Sequence, residues 1–192
     1  MEIKSAKKGE KIDVVIDTTS GDFAAAIKTG KKEDLVVTLK KEGVAFSSQL
    51  LEIEKNPPPT DVPLKIPALE IKEIKIGETY TLNNIYFGSN SASLEQRSKA
   101  VLKEFAEYLK NNKNLKIEIY GHTDNVGDRN SNLGLSKERA LVVLEALTEE
   151  FGVPKSQVRG FSGFGPDKPV ADNGTESGRA KNRRTEFAVV EK

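Results

Sequence analysis

From Tyr80 to the C-terminus the chain alternates short runs of β-forming residues with longer runs that place apolar side chains at helical spacing, and few architectures accept that order. Leu82–Phe87 (LNNIYF) is expected to be a strand. Ser93 is expected to cap the helix that follows, with Gln96 at the capping-box position, and Leu94, Val101, Leu102, Phe105 and Leu109 should form its buried face. The polar run Asn111–Asn114 should end it. Leu115–Tyr120 (LKIEIY) reads as a second strand, followed by the Gly-rich loop Gly121–Gly134. Ser136 is expected to open a second helix, with Ala140, Val143, Leu144, Leu147 and Phe151 as its buried stripe and Gly152 just past its end. Val158–Gly163 is a third strand, Thr175 caps a short helix reaching Asn182, and Arg184–Val190 is a last strand. The prediction is an α+β fold whose C-terminal part is an α/β sandwich, a βαβαβ-type mixed sheet with helices on it.

The first third of the chain follows a different pattern. Ile12–Asp17, Phe23–Lys28, Leu35–Lys40 and Ser47–Ile53 are short, partly alternating and separated by polar, Gly-containing turns. They predict a small all-β domain or partial β-sandwich. Five of the eight prolines then fall between Glu54 and Pro67. Three of them are consecutive, Pro57 to Pro59, which suits neither a helix interior nor a central strand, so residues 55–67 should be a stiff connector. Leu64–Ile76 alternates loosely, as an edge or bridging strand would. The expected division is 1–76 and 80–192, with the boundary near 76–80.

Composition removes several function classes. There is no cysteine and one histidine, His122, which excludes a thiol nucleophile, a disulfide framework and a His-rich zinc site. Net charge is +1 over 192 residues, so no global field draws the chain to nucleic acid or anionic lipid. The N-terminal MEIKSAKKGEKIDVV has positive charge without an apolar core, and no apolar stretch is long enough to span a bilayer. An export signal or anchor, if the protein uses one, is expected outside this sequence. No carboxylate pair suited to a glycosidase and no amidase-type metal ligand set stands out, so the reading is non-enzymatic, with no cofactor and no metal.

Two polar elements remain. Thr123 and Asp124 directly follow a strand, where open α/β sheets commonly place ligands. Arg139 comes fifteen residues after Asp124 and, with a helix opening at Ser136, would add a guanidinium fork to a helix start. Asp124 for an ammonium and Arg139 for a carboxylate would clamp a zwitterion. The plainer readings are an Asx turn at Asp124, an Asp124–Arg139 ion pair, and a strand-end packing or hydrogen-bonding role for His122. The second element, Thr175–Phe187 (TESGRAKNRRTEF), carries Arg179, Lys181, Arg183 and Arg184 within six residues. A nucleic-acid patch would want interleaved aromatics, which are missing, so a solvated helix face with some arginines turned to the Asp124 pocket fits better.

Three blocks appear in order: NIYFGSNSASL, then EIYGHTDNVGDRNSNLGLSKERA, then GFGPDKPVADNGTESGRAKNRRTEF. Together they resemble the signature blocks of the OmpA-like C-terminal domain family over roughly residues 80–192. Where many members carry Asp and Phe after the first-block Phe, this chain has Gly88 and Ser89. The resemblance implies non-covalent binding of peptidoglycan through the diaminopimelate of its stem peptide. It also implies contacts by Asp124 and Arg139, with Asn90, Thr123, Asn132 and Arg183 around them. It further implies a periplasmic, outer-membrane-associated protein that anchors an envelope component to the cell wall. The N-terminal part resembles the β-rich region preceding this domain in Bacteroidetes-type members, and it is the expected contact for outer-membrane or envelope partners. Nucleic acid is not an expected partner, and homodimerisation is left open.

Overall fold

The computed structural model describes residues 2–5, 11–12, 15–16, 23–24, 33–39, 43–53 and 72–192, and among these described residues there are ten strands and three α-helices. The strands β1 (Glu2–Ser5), β2 (Lys11–Ile12), β3 (Val15–Ile16), β4 (Phe23–Ala24), β5 (Glu33–Leu39) and β6 (Ser47–Ile53) come first. The order then runs β7 (Thr79–Leu82), α1 (Gln96–Asn111), β8 (Lys116–Gly121), α2 (Arg129–Glu145), β9 (Val158–Gly163), α3 (Glu176–Asn182) and β10 (Thr185–Glu191). The proline-rich connector 55–67 and most of the expected strand Leu64–Ile76 lie outside the described residues, as do parts of the predicted strands 12–17, 23–28 and 35–40.

The C-terminal sheet has the order β7-β10-β8-β9. β10 runs antiparallel to both β7 and β8, whereas β8 and β9 are parallel, as a helical crossover through α2 requires. The alternation in KIEIYG explains β8: Ile117 and Ile119 are fully buried while Lys116, Glu118 and Tyr120 are half-buried. α1 covers the sheet with Val101, Leu102, Phe105 and Leu109, and α2 with Ala140 and Val143, followed by Leu147. α2 continues through a π-turn, Ala146–Glu150, and the chain reverses at Gly152, whose φ of +68° is a conformation glycine adopts without strain. The result is the expected α+β class, a mixed sheet with helices on it.

The N-terminal strands form an antiparallel sheet, β2-β1-β5-β6, and a separate pair, β3-β4. The division at residues 76–80 is kept as a proposal about chain organisation. Across it, Val36, Ala45, Phe46 and Ile74 join the apolar cluster of α1 and the C-terminal sheet. The Phe46 ring lies 5.0 Å from Phe105 and 5.6 Å from Tyr108, and the buried Tyr108 hydroxyl donates to the Val44 carbonyl at 2.7 Å. Burial pushes the Tyr108 phenol well above its ordinary range, so it stays a neutral donor. Tyr108→Phe removes that donor and leaves a buried carbonyl unpaired, so it should cost about 1–2 kcal/mol in urea denaturation. A variant as stable as the parent would mean this bond does not hold the β5–β6 segment on α1.

Several expectations are corrected. The strand near residue 82 is Thr79–Leu82, not Leu82–Phe87: Asn84 sits at φ +63°, and after it only an isolated bridge, Phe87 to Leu94, remains. α1 is preceded by Glu95, which makes no side-chain cap, rather than by Ser93. α2 begins at Arg129, where Asp128 caps it by accepting from the Ser131 N–H at 2.8 Å, so Ser136 lies inside the helix. β6 and β9 agree residue for residue and β8 and β10 are shifted by one residue, whereas β1 was not expected and the described parts of the expected strand 12–17 belong to two sheets, β2 beside β1 and β3 beside β4. Thr175 caps α3 by accepting from Gly178 N–H at 3.1 Å.

Candidate functional site

β8 and β10 lie side by side, and the segments beyond their adjoining ends carry the charged groups. After Gly121 the chain leaves β8 as His122, Thr123 and Asp124, all buried, with His122 N–H bonded to the Arg184 carbonyl and Thr123 N–H to that of Gly165. This fixes Asp124 beside the residues that precede β10. One Asp124 oxygen accepts from Arg183 Nη1 at 2.6 Å and the other from Val126 N–H at 3.0 Å. The Asx turn expected as the plain reading is therefore present, and it coexists with an ion pair made by Arg183 rather than Arg139. Arg183 also reaches Glu176 on α3 at 2.8 Å, and its hydrogen bonds to Asp124 and Glu176 raise its pKa further.

Arg139 is held differently. It projects from the middle of α2, so the free N–H groups of a helix start are not beside it. Its Nε donates to Ser91 O at 2.9 Å and its Nη2 to Gly88 O at 3.4 Å, while its guanidinium lies 5.0 Å from the centre of the Phe87 ring. Burial lowers its pKa, with Arg183 adding repulsion and Asp124 partly offsetting both. Among the described residues no carboxylate lies within ion-pair distance of Arg139. A half-buried guanidinium held only by carbonyls keeps part of its donor fork and all of its charge available for an anion.

The other predicted residues take lesser places. Asn90 is exposed at φ +47° in the turn whose carbonyls at Gly88 and Ser91 grip Arg139, so it stands at the rim of that group. Asn132, in the first turns of α2, donates its side-chain amide to Val126 O at 2.8 Å and braces the loop after Asp124. The buried Thr123 hydroxyl is used internally, donating to Asp124 O at 2.8 Å. A cleft of about 230 Å³ opens beside them; its lining includes Phe87, Glu95, His122, Arg139, Arg183 and Arg184 but not Asp124.

Some of these were not singled out from sequence. Phe87 and the Gly88 and Ser91 carbonyls hold Arg139 from a segment 48 residues or more earlier, and Glu176 shares Arg183. His122, expected to pack or hydrogen-bond at the strand end, stacks its ring on Phe164 and places its Nε2 3.2 Å from Glu186 Oε2. Among the described residues no cluster of three or more acidic or histidine side chains could hold a metal ion.

A mixed sheet with helices on it, and an arginine-rich cleft beyond adjoining strand ends, define a small α+β module. Its family is identified directly: a model described as the OmpA family matches residues 86–183, about half of the 192-residue chain, and the chain belongs to that family. The chain is 40% identical over 106 residues to outer membrane protein Omp38 of Acinetobacter baumannii, covering 55% of this chain and 29% of that protein. It is 38% identical over 105 residues to the peptidoglycan-binding protein ArfA of Mycobacterium tuberculosis, covering 55% and 32%. It thus spans about a third of the length of these curated relatives. Its structure is similar to that of the peptidoglycan-associated lipoprotein from Burkholderia pseudomallei, with a TM-score of 0.50 and 35% identity over 55% of this chain and 87% of that one. A periplasmic domain of Helicobacter pylori MotB aligns with a TM-score of 0.51 and 26% identity, over 59% and 72%.

Proposed function

We propose that this chain binds peptidoglycan non-covalently, gripping a zwitterionic stem-peptide residue of the diaminopimelate type, and thereby ties an outer-membrane or envelope component to the cell wall. The observation that carries the reading is Arg139, a half-buried guanidinium without a carboxylate partner among the described residues, set in one electrostatic neighbourhood with Asp124 and Arg183. A ligand carboxylate would dock on Arg139. Its ammonium would share Asp124, whose oxygens retain lone pairs beyond those used by Arg183 and Val126. Asn90 stands at the carboxylate end of this clamp, while Asn132 and Thr123 hold the Asp124 loop in shape. The role is attachment, with no bond made or broken. Similarity to the peptidoglycan-binding protein ArfA and to the peptidoglycan-associated lipoprotein supports it.

The proposed location is the periplasm, with the N-terminal strands turned to the envelope partner. Among the described residues no helix is long and apolar enough to cross a membrane. One clamp is weak, but a polymer offers many stems and avidity supplies retention. Co-sedimentation with purified sacculi tests the reading. Asp124→Ala and Arg139→Ala should each weaken binding about tenfold or more, the loss of one charge-assisted contact of about 1.5–3 kcal/mol. Variants that sediment like the parent would remove the clamp from consideration.

A further inference from the structure

Asn173–Gly174 is the one Asn–Gly pair in the sequence, and it sits in the loop that leads into α3. Glycine carries no Cβ, so its amide nitrogen is open to approach by the side chain before it, and asparagine in that setting is chemically labile. Gly174 is exposed and Asn173 half-buried, so water reaches the pair.

The groups around the pair are arranged for a reaction between its two members. Gly174 N–H donates to Asp172 Oδ1 at 2.8 Å, which sets a carboxylate on the proton that must leave before the nitrogen can attack. Asn173 Oδ1 accepts from Asn182 Nδ2 at 2.8 Å. Asn182 is fully buried; its own Oδ1 accepts from the Val170 and Ala171 N–H groups at 2.8 and 3.0 Å, and its Nδ2 also donates to Ala171 O at 2.9 Å. Those backbone partners fix which way the Asn182 amide faces, so a held donor points at the oxygen on which charge builds during attack. The Asn173 Nδ2, which would leave, makes no hydrogen bond among the described residues.

We propose that Asn173 is a self-modifying site, converted to aspartate and isoaspartate with Asp172 as base and Asn182 as the polarising donor. Gly174 N bonds to Asn173 Cγ while Asp172 takes the N–H proton and passes it to the amide nitrogen, which leaves as ammonia. The product is a five-membered succinimide. One water then adds to either ring carbonyl and opens the ring, giving aspartate or isoaspartate, with nothing oxidised or reduced. Isoaspartate places one extra carbon in the main chain before Gly174. That moves the oxygen that Asn182 holds and the Asn173 main-chain carbonyl that accepts from Arg179 Nη1 at 2.9 Å. Asn182 directly precedes Arg183, the partner of Asp124, so the modification reaches the cleft through α3 and its C-terminal residue.

The test keeps the full chain at physiological pH and temperature for weeks and follows each asparagine by peptide mapping, where conversion adds about 1 Da and releases one ammonia. Asn173 should convert at least about tenfold faster than any other asparagine, and no more slowly than in an unfolded synthetic peptide of residues 168–179. Asp172→Asn keeps an oxygen for the Gly174 N–H but removes the base, so it should slow conversion about fivefold or more. In amide NMR spectra the isoaspartyl fraction should shift Arg183 and also Val126, whose N–H is bonded to Asp124. Conversion slower in the folded chain than in the peptide, or an Asp172→Asn rate equal to the parent's, would overturn the assignment of Asp172 and Asn182. Isoaspartate at residue 173 with the Arg183 and Val126 amides unmoved would overturn the link to the cleft. None of these outcomes bears on whether sacculi bind at Asp124 and Arg139.

Discussion

Gly121→Ala should destabilise the protein by about 3 kcal/mol or more and abolish ligand binding in whatever fraction stays folded. A Cβ at Gly121 would lie 2.1 Å from the Ser136 carbonyl oxygen, and one at Gly163 would lie 2.2 Å from Lys137 N. These two glycines face each other across the parallel β8–β9 pair, so α2 lies with its backbone directly on them. The clashing atoms are main chain, and no side chain can swing away to relieve them. Relief requires lifting α2 off the sheet, which breaks the Ser136 hydroxyl's bond from Gly165 N–H at 2.9 Å and displaces Arg139, one turn further along the helix. Gly134→Ala is the matched control. It sits in the same helix, and a Cβ there meets nothing within 4 Å. That change should be neutral or should stabilise by up to about 1 kcal/mol, since glycine is a poor interior helix residue. Urea denaturation compares the two, and similar unfolding free energies for both variants would contradict close helix–sheet contact as the device that positions Arg139.

That contact also explains where sequence reasoning stopped. Periodicity exposes buried stripes, so Val101, Leu102 and Phe105 in α1 and Ala140, Val143 and Leu147 around α2 were legible, as were β9 and the Thr175 cap. The start of α2 was not. Asn130, Ser131, Asn132 and Gly134 are weak helix formers and read as loop, yet the Asp128 cap and the seat on Gly121 and Gly163 hold them helical. β7 was misplaced for a related reason. Thr79–Leu82 and Ile85–Phe87 both carry β-forming residues, and only the pairing of Thr79–Leu82 with β10 decides between them. At the site, the motif blocks marked Asp124, Arg139 and Arg183. What they could not show was the pairing, because Arg183 reaches Asp124 across 59 residues and Arg139 reaches back 48 to the Ser91 carbonyl. Spacing along a chain carries no record of which arginine arrives at which acid.

The second large effect lies behind the cleft, at Glu186. This buried carboxylate accepts from Arg184 Nε at 2.7 Å and lies 3.2 Å from His122 Nε2, and both partners line the cleft. Burial pushes its pKa up, but the hydrogen bonds from His122 and Arg184 and their charges outweigh burial and bring it from 4.5 down to about 2. At about 1.4 kcal/mol per pKa unit, that difference corresponds to about 3 kcal/mol of stability. Because the folded pKa is depressed, the contribution is fully present above pH 4.5 and is lost as pH falls toward 2. Glu186→Gln should therefore lower the unfolding free energy by about 3 kcal/mol at pH 7, and the gap to the parent should close progressively below pH 4.5. The exposed acids with lowered pKa values, Asp128, Glu176 and Glu191, titrate in both proteins and cancel in the comparison. Parallel pH–stability curves down to pH 2.5 would show that the Glu186 charge is not the source. The same variant bears on binding. Without Glu186, the Arg184 guanidinium adds an unneutralised charge to a cleft that already gathers Arg139 and Arg183. Arg139 would then be harder to keep in place before a ligand carboxylate arrives, so sacculus binding at pH 7 should fall along with stability, although Glu186 itself does not line the cleft.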